Sequence, residues 1–229
     1  MKTLRACLHR IAFLLLALAG SGPAGASTLY VSGWAAGESV TIAGRGNVET
    51  REFGGTLAGF RGFGYSVDLA QPIDVGDTTG WTVLAPDSDA LISAAWLIDT
   101  YHPEIESLVQ DGVSRATAIA ALQVAVWEAI SEAPGDYSLS SGEFALESAS
   151  DGVTALANGF LGALAAAHLL GFAPSSVWAY HDELQDELFT GYSGEFAHAV
   201  AEPGAVAMSA AGLLTLGVQH PAVRRRLGR

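Results

Sequence analysis

Of the 229 residues in this chain, Gln123 most needs a chemical explanation. On a helix it shares a face with Ile119 four residues before it, Val126 three after and Trp127 four after. An amide on such a face is aimed at the core, and burying it unpaired costs about 1 to 3 kcal/mol. A partner is available in the segment Gly64, Tyr65, Ser66, Val67, Asp68, Leu69. Strand alternation puts Tyr65, Val67 and Leu69 on one face and Ser66, Asp68 and Ala70 on the other. If the polar face packs toward the helix, Ser66 lies beside Gln123. A serine hydroxyl needs a neighbouring base to become a nucleophile. Asp68 shares its face and can orient it, but a carboxylate of reference pKa about 3.9 is a poor base for a hydroxyl. The expected relation is a plain hydrogen bond between Ser66 and Gln123. An internal ester joining them, or no contact, are the alternatives.

Other chemistry finds weaker support. The six histidines, His9, His102, His168, His181, His198 and His220, include no pair at i, i+4, so a zinc enzyme is not indicated. Gly64-Tyr65-Ser66-Val67-Asp68 and Gly191-Tyr192-Ser193-Gly194-Glu195 both miss the last glycine of a nucleophile elbow, which argues against a serine hydrolase. Asp74, Asp77, Asp87 and Asp89 carry oxygen ligands suited to calcium but lack the EF-hand spacing, and helix caps and turns account for them. Trp96 and Trp127 sit among apolar residues at helical spacing, as core residues do, and the acidic run 182–187 reads as a solvated face. No cofactor and no metal is expected.

The elements that must position Ser66 and Gln123 change character along the chain. Residues 28–86 are glycine-rich with short β-branched and aromatic runs at 29–31, 39–42, 48–53, 63–73 and 81–84, the pattern of hairpins and meanders. Asp87, Ser88 and Asp89 can cap a helix ending near His102 and Pro103, and Ser114 can cap another over 115–132 that stops at Pro134 and Gly135. A third helix is expected over about 143–170, and a strand returns at 177–180. Strands first, helices second and a strand returning predict an α+β fold: an N-terminal antiparallel β-sheet, a bundle of about three helices and a returning strand.

The two ends carry a different message. Lys2, Arg5 and Arg10 precede an apolar run over 11–19 and the small residues Ala24, Gly25 and Ala26, which predicts a secretory signal peptide over 1–26. The only cysteine, Cys7, falls inside it, so the exported body has no disulfide and no thiol chemistry. At the far end Glu202, Pro203 and Gly204 precede an apolar stretch over 205–218 and then Arg224, Arg225, Arg226 and Arg229. This order resembles the PEP-CTERM sorting signal over 202–229, with Ala201 in place of the first proline and Gln219, His220 and Pro221 interrupting the apolar run. The resemblance implies an exosortase-type sorting enzyme as partner and transient membrane anchoring through the C-terminal segment. The body between, 27–201, keeps four arginines, no lysine and 23 acidic residues, for a formal charge of -19. A surface so acidic stays soluble and excludes nucleic acid as a partner.

Residues 60–190 of that body also resemble a known family. Gly64 to Leu69 as quoted above, Ala94-Ala95-Trp96-Leu97-Ile98, the block Leu122-Gln123-Val124-Ala125-Val126-Trp127 and the pair Gln185-Asp186 resemble the Cys-Gln thioester domain, in which a strand cysteine and a helix glutamine form an internal thioester that surface adhesins use to capture nucleophiles. Gln123 matches the glutamine, and Ser66 stands where the cysteine would be. The resemblance implies a secreted cell-surface or extracellular-matrix protein serving structure or adhesion, a non-reactive relative rather than an enzyme. Extracellular polysaccharide and surface proteins are the candidate partners. The competing classes are a serine-dependent hydrolase or internal ester-forming domain built on Ser66 and Gln123, and a carbohydrate- or calcium-binding surface module.

Overall fold

A computed structural model describes residues 27–69, 75–182, 184 and 186–191. The expected signal peptide, the sorting signal with Glu202, Pro203, Gly204, Arg224, Arg225 and Arg226, and also Asp74 and Gln185, lie outside the described residues.

The chain opens with four strands, β1 Ser27–Ile42, β2 Gly46–Leu57, β3 Phe60–Ser66 and β4 Gly76–Leu84. Helices α1 Asp89–Tyr101, α2 Ile105–Gln110 and α3 Arg115–Ser131 follow, then the short strand β5 Leu146–Ser148, helix α4 Asp151–Ala166, and the strands β6 Val177–Tyr180 and β7 Glu187–Gly191. The fold is α+β. Ser88, Ser114 and Ser150 each accept a main-chain N–H of the first turn of α1, α3 and α4, as residues at N-caps do. The third helix starts later than expected: residues 146–148 pair with the end of β1, and Ser150 begins the helix.

All strand pairings are antiparallel, in the order β2-β3-β7-β6-β4-β1, and β1 also pairs with β2. That last pairing turns the sheet into a closed six-stranded barrel. It is possible because β1 is 16 residues long and carries two register shifts. Its first residues, 27–31, lie between β4 and β2, while its far end continues with β2 as a hairpin that β5 extends.

Alternation then sorts two cores. Leu29, Val31, Phe53, Leu57, Trp81, Val177, Ala179 and Phe189 fill the barrel. The strand β3 turns Gly62, Gly64 and, at its end, Ser66 to this interior, with Phe60 packing against it from the strand's start. A Cβ on Gly64 would meet the Phe53 ring at 2.0 Å, and one on Gly62 would meet the Thr190 carbonyl oxygen at 2.1 Å, so small residues here make room for the two phenylalanines. Outside the barrel, Tyr65 and Leu188 join the larger core, where α1, α3 and α4 pack their apolar residues. Helix α3 is the centre of that layer: its residues 118–129 are all buried. Among the described residues no helix is long and apolar enough to cross a membrane.

Candidate functional site

The fold brings Ser66 and Gln123 together, through atoms other than those expected. The Gln123 side chain is 1 % exposed. Its Oε1 accepts the Ser66 main-chain N–H at 3.2 Å, and its Nε2 donates to the Ser66 carbonyl oxygen at 2.8 Å. The reason lies in the ladder. Next to Ser66, the Val67 N–H donates to the Asp186 carbonyl, on the β7 side. Successive residues of a strand turn their main-chain groups to opposite sides, so Ser66 points toward β2. The β2–β3 pairing ends at Phe53 and Gly64, beyond which β2 stays with β1. The amide of Gln123 takes the place of the missing strand and satisfies both groups.

The Ser66 hydroxyl faces the other way. Tyr65 belongs to the helix-facing side of β3, which reverses the expected orientation, and Ser66 is on the barrel side. Burial on both faces of β3 is why alternation alone assigned the wrong face. Its Oγ donates to the Asp68 main-chain carbonyl at 2.7 Å. The acceptor is thus the carbonyl rather than the Asp68 carboxylate expected to orient it. Trp127, one helical turn after Gln123, is 3 % exposed, its ring tilted against Phe144 with centroids 6.5 Å apart.

Across the β3–β7 ladder, Ser66 stands opposite Glu187. Glu187 was expected on a solvated acidic face. Instead it is fully buried on β7, and neither carboxylate oxygen has a hydrogen-bond partner among the described residues. Burial, and then the charges of Asp186 and Asp68, push its carboxyl well above the usual range. Asp186 is itself pushed up by burial, against the His181 N–H and the Trp178 indole, which oppose the shift. Close to Gln123 on α3, Glu128 accepts the Ser138 N–H at 2.5 Å, and burial raises its carboxyl to about 7.

A second cluster, which sequence reasoning missed, lies on the outer wall of the barrel. Glu52 is 2 % exposed: its Oε2 accepts from the Tyr65 hydroxyl at 2.6 Å and lies 3.2 Å from His102 Nδ1, and its Oε1 accepts from Arg115 at 3.2 Å. Burial pushes Glu52 up, but the bonds from His102 and Tyr65 and the Arg115 charge outweigh it and hold the carboxyl below its ordinary value. His102 Nδ1 is also 3.0 Å from the Tyr65 oxygen, and the imidazole lies tilted against Phe63 with centroids 4.5 Å apart. The signal for Glu52 was present in the run 48–53: alternation puts Val48, Thr50 and Glu52 on one face, and an acid there needs partners. Its partners come from β3, from the C-cap of α1 and from the first residue of α3, which no local pattern reveals.

Of the expected calcium positions, Asp77 lies in β4, and Asp87 and Asp89 are exposed at the start of α1. Among the described residues no three His, Asp or Glu side chains gather in a way that could hold a metal ion. The fold and site therefore define an α+β protein in which a helix glutamine clamps the main chain of a barrel strand. No family model, curated protein or solved structure matches the chain.

Proposed function

We propose that the exported body is a non-covalent structural or adhesion module of the cell surface or extracellular matrix, a relative of thioester adhesins that lacks their chemistry and is not an enzyme. One observation carries this reading: both polar atoms of Gln123 are engaged by the Ser66 main chain while the Ser66 hydroxyl is bonded to a different carbonyl. Ester formation would require that hydroxyl to attack the Gln123 carbonyl carbon and expel ammonia, and here the hydroxyl is turned into the barrel. A hydroxyl bonded to a carbonyl, with no base on it, equally disfavours a hydrolase built on Ser66. In this reading the segment 1–26 directs export. The tail with Glu202, Pro203, Gly204 and the arginines 224–226 anchors the protein transiently until an exosortase-type enzyme processes it.

Intact mass of protein recovered from its native host tests the proposal. The expected body mass equals that of its residues. An ester would leave it lighter by about 17 Da, the mass of the expelled ammonia. A deficit that vanishes in Ser66→Ala would sink the non-reactive reading. The same spectrum reports whether cleavage falls after Ala26 and before the arginine-rich tail.

A further inference from the structure

The barrel's outer wall extends past the helical layer and leaves a shelf. Across three adjacent strands Tyr30, Thr56 and Arg61 form one row, since Tyr30 pairs with Thr56 and Thr56 with Arg61. Ser32, Gly54 and Phe63 form the next row, with the Ser32 hydroxyl donating to the Gly54 carbonyl at 2.8 Å. A cavity of about 380 Å³ lies over these two rows. A second, of about 310 Å³, is walled by His102, Ile105, Glu106 and Arg115. Phe63 lines both, and Gly62 of the first is the cross-strand partner of Gly191 of the second, so the two adjoin as one groove.

The lining of this groove differs from the rest of the surface. The body has four arginines against 23 acidic residues, and two of the four, Arg61 and Arg115, lie here. Arg115 is bound by Glu52 and Glu106. Arg61 is exposed and forms no ion pair among the described residues. Tyr30, 43 % exposed, offers a ring at the other end of the same row. Two interstrand spacings separate them, about 10 Å, roughly the length of a disaccharide. Gly54, in the adjoining row, keeps the floor low beside them.

We propose that this groove binds an acidic polysaccharide of the uronate type. A sugar ring stacks on Tyr30, whose ring combines an apolar face with a polar tip. Thr56 supplies a hydroxyl at mid-groove, and Arg61 receives a sugar carboxylate through its planar fork. An extended peptide is a poorer fit, because strand addition needs an open edge and the barrel is closed. A polyphosphate backbone is a poorer fit too, because it offers no apolar ring face to stack on Tyr30. The inference gives a ligand class to the matrix role proposed above and depends on that role for its setting.

Titration of the exported protein with oligogalacturonate, dextran and polyglutamate tests it. Oligogalacturonate is expected to bind, and Arg61→Gln and Tyr30→Ala each to weaken binding by about tenfold, the loss of one charged or stacking contact. Both side chains are exposed, so the fold survives their loss. Arg45→Gln, the same charge change in the turn between β1 and β2, is expected to leave the affinity unchanged. Equal losses from Arg45→Gln and Arg61→Gln, equal binding of polyglutamate or dextran, or no binding of oligogalacturonate would each overturn the assignment. A mass deficit with specific galacturonate binding would remove the non-covalent reading and keep this groove. The opposite pair of results would remove the groove alone.

Discussion

Gln123→Leu is expected to destabilise the protein by about 2 to 6 kcal/mol, since it strands two buried main-chain groups at about 1 to 3 kcal/mol each. Leucine is one bond shorter than glutamine but branched and apolar, and it keeps helix propensity, so most of the loss reports the hydrogen bonds. The Ser66 N–H and carbonyl have no strand to turn to, because β2 has already left β3 at Phe53. Gln123→Glu is expected to lose stability as well: its carboxylate can accept the N–H but cannot donate to the carbonyl, and it buries a charge. Ser66→Ala removes only the bond to the Asp68 carbonyl, worth about 1 kcal/mol. Urea unfolding midpoints at constant slope would read this order. If an ester joined the two residues, Ser66→Ala would break the same link as Gln123→Leu and cost a comparable amount. Near-equal losses would therefore contradict the clamp, and a large gap between them would support it.

The same pair shows what local sequence patterns can reveal. The apolar spacing around Gln123 and the serine at 114 were enough to place α3 and to require a partner for the amide, and the partner strand was identified correctly as the one containing Ser66. Which atoms of Ser66 meet the amide was not legible, because it depends on where β2 parts from β3. The barrel was equally hidden. Closure rests on pairing 27–31 with both β4 and β2, and on two distant strands, β6 and β7, inserted between β3 and β4. Only β6 among those late strands announced itself, through Val177, Trp178 and Tyr180. The strand β7 was read as solvated because its first residue closes an acidic run. Leu188 and Phe189 are ordinary strand residues, but a buried, unpaired glutamate beside them contradicts the usual exclusion of charge from interiors. The groove was illegible for a similar reason: Tyr30, Arg61 and Arg115 are distant in sequence, and only barrel closure and the ends of α1 and α3 bring them to one surface.

Lowering the pH toward the acidic range is expected to stabilise the protein, with Glu187 as the main cause. The carboxyl lies inside the barrel, on the same face as Phe189, opposite Ser66 on β3 and Ala179 on β6. The acidic groups acting on it are Asp186, next to it on β7, and Asp68, just beyond the end of β3. Among the described residues no hydrogen-bond donor meets either carboxylate oxygen, so the folded state holds the proton that the unfolded state releases near 4.5. A group whose folded pKa is raised contributes stability that is complete below its unfolded pKa and is lost as pH rises toward the folded value. The slope is at most about 1.4 kcal/mol per pH unit for one proton. Glu128 acts with the same sign, but its folded value of about 7 confines it to the window between 4.5 and 7. Above pH 7 its contribution is flat. Glu187→Gln, which keeps the shape and cannot ionise, is expected to match the wild type near pH 4.5 and to lose less stability as the pH rises from there. Unfolding free energies at closely spaced pH values would read the difference. A pH slope in Glu187→Gln as steep as the wild type's above 4.5 would place the titrating group elsewhere. A loss of stability at every pH would mean that the carboxylate is stabilised by a bond the neutral amide cannot make.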